Sequence, residues 1–176
     1  MLTEFALQEL ALRYVGKYAT TRAKLRAYLA RKIRERGWDD TKEPDLEALA
    51  DRLTELGYID DAAYALCRAR TLAERGYGKR RLIDKLRFAG VEEKDSVAAG
   101  EHADKEAVRS ALRFAKRRRL GPYAVLAPEP HQREKWIAAM VRAGHGFALS
   151  RAIASLLPGT SIDEDELQEQ ARTIDA

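Results

Sequence analysis

The sequence predicts an all-α protein of three tandem three-helix repeats, and three observations carry that expectation. Charged residues make up 34% of the chain and aromatics 7%, with Leu, Ala, Arg and Glu dominant and no β-branched runs of the kind that form strands. Apolar positions recur at helical spacing between capping residues and glycines. One pattern also returns at a period of roughly 50 residues, as in helical arrays whose units pack on their neighbours.

The first repeat, residues 1–57, opens with a helix near Thr3 that sets Leu7, Ala11, Tyr14 and Tyr18 on one side. Thr20 or Thr21 then suits the N-cap of a second helix, in which Leu25, Leu29 and Ile33 lie four residues apart before Gly37 ends it. Pro44 fits the first turn of a third helix, where its missing N–H costs nothing, and Leu46, Leu49, Leu53 and Leu56 follow.

The second repeat, residues 58–103, starts at Asp60, an N-cap flanked by Ile59 and Tyr64 at the spacing of a hydrophobic staple. That helix runs to about Arg75, and Gly76-Tyr77-Gly78 breaks it. A basic helix follows, with Leu82 and Leu86 inward and Gly90 as its stop, and then a short, weakly apolar element from Glu92 to Ala99.

The third repeat, residues 104–158, carries Val108, Ala111, Leu112 and Ala115 on a helix ending in Lys116-Arg117-Arg118-Arg119 and closed by Gly121-Pro122. After a loop with Pro128 and Pro130, a helix buries Trp136 and Met140 and stops at Gly144. Phe147, Leu149, Ile153, Leu156 and Leu157 form a last helix ended by Pro158-Gly159, and residues 159–176 are expected to be an acidic, mobile tail. The middle helices align: Leu29, Ile33 and Gly37 match Leu82, Leu86 and Gly90, and both match Trp136, Met140 and Gly144.

The net charge of +4 hides a block pattern. Residues 1–36 hold nine Lys/Arg against three Asp/Glu, residues 39–61 two against nine, and residues 68–87 eight against two. Residues 88–104 hold one against five, residues 105–119 seven against one, and residues 159–176 one against six. Such blocks suggest an elongated molecule with basic stripes facing polyanions or acidic protein surfaces, or else solvated faces paired with neighbouring acidic helices. The lone Cys67 excludes an intrachain disulfide and a cysteine zinc cluster, and is expected to be a buried thiol. The N-terminus has Glu4 where a signal peptide wants positive charge, and no apolar run approaches the ~20 residues that span a bilayer, so a cytoplasmic protein without a membrane partner is expected.

The stretch Leu56-Gly57-Tyr58-Ile59-Asp60-Asp61 with Tyr64, then Arg75-Gly76-Tyr77-Gly78, Arg81-Leu82, Leu86 and Ala89-Gly90-Val91, resembles the central signature of the RecX family. Thr20-Thr21 with Leu25 and Leu29 is similar to that family's first-repeat segment, and Arg133 to Gly144 followed by Ile153 to its last. The resemblance spans about Leu7 to Leu157 and implies an elongated, curved array of three helical repeats. It further implies a small cytoplasmic protein that binds RecA filaments on DNA and limits strand exchange and RecA's co-protease activity. Tyr64 stands where many members have Phe, Pro128 and Pro130 occupy a loop that is short in the other repeats, and the segment Asp163 to Glu169 has no place in the pattern.

No catalytic set, cofactor or metal site is expected. His102, His131 and His145 lack metal-ligand spacing, and Gly76-Tyr77-Gly78-Lys79 lacks the length and the Ser/Thr of a phosphate loop. His145, between Gly144 and Gly146, reads as a turn residue, and Asp60-Asp61 as an N-cap and a favourable first-turn charge. The rival reading is a non-specific DNA-binding helical module that contacts single- or double-stranded DNA through phosphates. Sequence-specific readout fits less well, because the chain contains no Asn for base edges. Under either reading the working surface is placed on Lys79, Arg80, Lys85 and Arg87, with Arg22, Lys24, Arg26 and Lys32 in the comparable region of the first repeat. Stacked in a curve, the two sets would join into one basic face.

Overall fold

The computed structural model describes residues 1–39 and 41–175, with side chains as far as Ala171. Among these residues the chain is all-helical, as expected: α1 (Glu4–Lys17), α2 (Arg22–Arg36), α3 (Leu46–Glu55), α4 (Asp61–Glu74), α5 (Lys79–Phe88), α6 (Glu93–Lys105), α7 (Ala107–Arg118), α8 (Pro130–Arg142), α9 (Phe147–Ser155) and α10 (Glu164–Asp175). A short 3-10 turn lies at Gly121–Tyr123.

Local chemistry sets the helix starts. Thr3 accepts the Ala6 N–H at 3.3 Å, Thr21 the Lys24 N–H at 3.2 Å and Asp60 the Ala63 N–H at 2.8 Å, each side chain satisfying an orphan donor of the first turn. At α3 the cap is Asp45, which accepts from Ala48 N–H at 2.9 Å, so Pro44 stands before the helix rather than in its first turn. α6 runs on to Lys105, further than its weak apolar pattern indicated. Cys67 is exposed, correcting the expected buried thiol: α4 turns Ala65, Ala69 and Ala73 inward instead.

Two compact units emerge, Met1–Leu66 with Leu86–Val97, and Cys67–Lys85 with Ala98–Ala176. The expected repeats describe a sequence periodicity, whereas these units describe contacts, and the units cut across the middle repeat. In the first unit Leu2, Leu7, Ala11, Leu25, Leu29, Ala50, Leu53 and Ile59 form the core. Leu56 and Tyr18, counted among inward residues from spacing, are exposed at the ends of their helices.

In the second unit Leu112, Phe114, Met140, Leu149 and Ile153 lead a core that also takes in Leu167 and Ala171. These last two belong to α10, so the segment expected to be a mobile tail packs as a helix through an i, i+4 apolar pair. Arg109 adds a 3.0 Å ion pair to Glu164 at its start. Phe147 and Leu157, expected inward, are exposed at either end of α9.

One joint occurs in both units. In the first, the Thr21 hydroxyl at the start of α2 donates to Ala89 O at 2.6 Å, and a Cβ on Gly90 would come within 2.3 Å of Ala23 Cβ. In the second, Gly78 N–H donates to Ala143 O at 3.0 Å and Arg80 N–H to Gly144 O at 3.2 Å. Each time, carbonyls ending one expected second helix meet donors that begin the preceding one, so unsatisfied groups of opposite sign satisfy each other. Gly144 holds φ at +97°, which a residue with a Cβ rarely adopts.

Candidate partner-binding surfaces

Of the four first-repeat cations, Arg22 is the least available. Its guanidinium lies 3.3 Å from Asp51, 3.8 Å from Asp61 and 2.5 Å from Glu92, and its backbone N–H donates to Asp61 Oδ1 at 3.0 Å. Asp61 thus caps α2 from the start of α4, a role beyond the first-turn charge expected of it. Burial pushes the Asp61 carboxyl up, against the downward pull of the Arg22 N–H and guanidinium. Burial also works against the Arg22 charge, but Glu92, Asp61 and Asp51 together hold its pKa above the ordinary arginine value.

The other three each have fewer polar partners. Lys24 donates to Tyr64 Oη at 2.7 Å, Arg26 pairs with Glu47, and Lys32 pairs with Glu35 at 2.6 Å. Lys24 and Lys32 also border tyrosine rings, 4.9 Å from the Tyr64 centroid and 5.9 Å from that of Tyr28.

On α5, Leu82 and Leu86 are buried as expected and the cations divide. Lys79 pairs with Asp104 at 2.6 Å. Arg80 and Lys85 in the second unit, and Arg87 in the first, are exposed and form no ion pair among the described residues. Arg80 is fixed at its backbone by Gly144 O while its side chain stays exposed. The basic end of α7 is partly committed to structure: Arg113 donates to Ala73 O at 3.2 Å and Arg117 to Arg75 O, satisfying carbonyls at the end of α4.

His145 stands in the turn between α8 and α9, as expected, but is buried there, and the positive φ of that turn belongs to Gly144. Its Nε2 lies 3.0 Å from Gly76 O, and its ring meets the Phe114 ring edge-on at 5.8 Å. Burial lowers its pKa, partly offset by the Gly76 hydrogen bond. Among the described residues no group of three or more His, Cys, Asp or Glu side chains is placed to hold a metal ion, and no helix is long and apolar enough to cross a membrane.

A second cluster joins α1 to α2 through tyrosine rings. Tyr14 of α1 stacks on Tyr28 of α2, with centroids 4.2 Å apart and planes 14° from parallel, and Tyr18 tilts against Tyr14 at 5.4 Å. The Tyr14–Tyr18 spacing of four was visible, but it was assigned to a buried stripe; the pairing with Tyr28 is a tertiary contact that no local pattern announces.

No family model matches the chain. It is 34% identical over 143 residues to regulatory protein RecX of Thermus thermophilus, covering 81% of this chain and 84% of that protein. It is 29% identical over 170 residues to regulatory protein RecX of Myxococcus xanthus, covering 86% of each. The crystal structure of RecX from Lactobacillus salivarius shares its fold at a TM-score of 0.57, with 16% identity over 96% of this chain and 94% of that one. A second crystal structure of a regulatory protein RecX aligns at a TM-score of 0.56, with 24% identity over 80% and 69% of the two chains.

Proposed function

This chain belongs to the RecX family of regulatory proteins, and from that premise we propose that it binds RecA filaments assembled on DNA and restrains their recombinase and co-protease activities. The activity is one of binding, without a reaction of its own. The observation that carries the choice of surface is on α5, where Arg80 and Lys85 are exposed and unpaired among the described residues while most other cations of the expected surface are matched by carboxylates. A filament on DNA presents both phosphates and acidic protein surface, and unmatched cations are the groups that attract it.

The test is the pair Arg80→Glu and Lys85→Glu, titrated as one variant into RecA-driven strand exchange in physiological salt. The fold should be unaffected, since exposed charges contribute under ~1 kcal/mol and Glu at position 80 sits in the first turn of α5, where negative charge is favoured. Inhibition should require a markedly higher concentration of the variant than of the wild type. Inhibition at wild-type concentrations would refute the assignment of this surface.

A further inference from the structure

We propose that the groove between α1 and α2 is a binding site for single-stranded nucleic acid, in which the Tyr14, Tyr18 and Tyr28 rings stack bases and Arg13, Lys17 and Arg31 hold phosphates. This site lies within the first unit and shares Lys24 and Lys32 with the surface expected from sequence, whereas the filament test rests on Arg80 and Lys85 of α5.

The rings form a continuous run, Tyr28 on Tyr14 and Tyr14 against Tyr18. A cluster serving only to pack two helices would be buried, whereas here Tyr18 is 50% exposed, Tyr14 and Tyr28 are half-buried, and all three line an open groove. The buried core between these helices is formed by Leu7, Ala11, Leu25 and Leu29; Tyr14 and Tyr28 pack against it with part of each side chain exposed, and Tyr18 lies outside it.

Every ionised group lining the groove is cationic. Lys17 stands 5.4 Å from the Tyr18 centroid and meets no carboxylate among the described residues, and Arg31 stands 5.7 Å from the Tyr28 centroid. Glu9 and Glu35, which pair with Arg13 and with Arg31 and Lys32, are outside the lining and leave a surplus of positive charge. Rings interleaved with cations along a trough are what an unpaired strand needs, because it offers a base face and a phosphate at each nucleotide. A duplex hides its base faces, and an acidic peptide has no use for the rings. The site contains no Asn, and its hydrogen-bonding groups are few, so it should tolerate any base sequence.

The experiment measures fluorescence anisotropy of a labelled oligothymidylate of about 16 nucleotides with the full chain, beside an abasic strand of equal length and charge. The base-bearing strand should bind about 10-fold or more tightly, the effect of stacking one or two bases. Tyr14→Leu with Tyr28→Leu, which keeps apolar bulk against the core, should bring both strands to the same weak affinity. Tyr58→Leu, at an exposed tyrosine outside the groove, should leave the difference intact. Equal binding of the two strands by the wild type would show a site for polyanions alone and overturn the proposal, a result that stands even if the double variant fails to fold. A folded double variant that still prefers the base-bearing strand would overturn it as well. RecA is absent throughout, so failure here leaves the filament reading to its own test.

Discussion

Gly78 is the position where a single methyl group should do most damage. A Cβ built there lies 2.2 Å from Gly144 O, 2.3 Å from Gly144 C and 2.5 Å from His145 N, all backbone atoms that cannot swing aside. The φ of Gly78 is not positive, so the penalty of Gly78→Ala comes from the clash rather than from backbone conformation. Relief requires separating the end of α8 from the start of α5, which breaks the bonds from Gly78 N–H to Ala143 O and from Arg80 N–H to Gly144 O. At about 0.5–1.5 kcal/mol for each bond, and more where a buried partner is stranded, the loss should be about 3 kcal/mol. For a chain of this size that is a fall in Tm of about 6–12 °C. Gly100→Ala is the matched control, because a Cβ inside α6 meets only the Lys79 side chain, at 3.7 Å and beyond. It should stabilise by about 0.5–1 kcal/mol through helix propensity alone. Thermal unfolding followed by far-UV circular dichroism gives both numbers. A Gly78→Ala variant within about 1 kcal/mol of wild type, the scale of an ordinary surface change, would mean that the joint is loose and that this glycine does no more than interrupt a helix.

Two further outcomes test the second unit. Leu167→Ala should cost about 2–5 kcal/mol in urea unfolding, since Leu167 is 3% exposed in the core, whereas Leu126→Ala, at an exposed loop residue, should change little; equal, small effects would return α10 to the status of a tail. Because burial lowers the His145 pKa, the unfolded chain takes up the proton first, and stability should fall as pH drops below about 6.5, by up to about 1.4 kcal/mol per pH unit. His145→Gln should flatten that part of the curve, and an unchanged slope would assign it to other groups.

What could be read from the sequence was local. Thr21 and Asp60 were recognisable as N-caps because the bond they make reaches only three residues along the chain. Gly90 and Gly144 were recognisable as stops, and their alignment held the key to a joint whose geometry no single helix could reveal. Misreadings arose where a stronger local signal masked a tertiary one. Around α10 the acidic run outweighed the single apolar pair Leu167 and Ala171, and on α4 the thiol of Cys67 was taken as apolar when alanines occupied the inner face. The candidate surface was legible only as a surplus of charge. Whether a given cation was free depended on partners far along the chain, as at Arg22, whose carboxylates lie 29, 39 and 70 residues away.

That dependence changes how the basic residues of this protein should be weighed. Arg113 and Arg117 close the end of α4, and Arg22 ties the starts of α2 and α4 to Glu92, so these arginines are parts of the scaffold as much as its hydrophobic residues are. Replacing Arg22 would leave Asp61, almost wholly buried and with one carboxylate oxygen already lacking a hydrogen bond, without its countercharge. Lost regulation in such a variant would report lost structure. Arg80, Lys85 and Lys17 lack that entanglement, since no carboxylate among the described residues waits on any of them. Only at residues of this second kind can loss of binding be separated from loss of fold: Arg80 and Lys85 on α5, and Lys17 in the groove between α1 and α2, where Arg13 and Arg31 are paired with carboxylates.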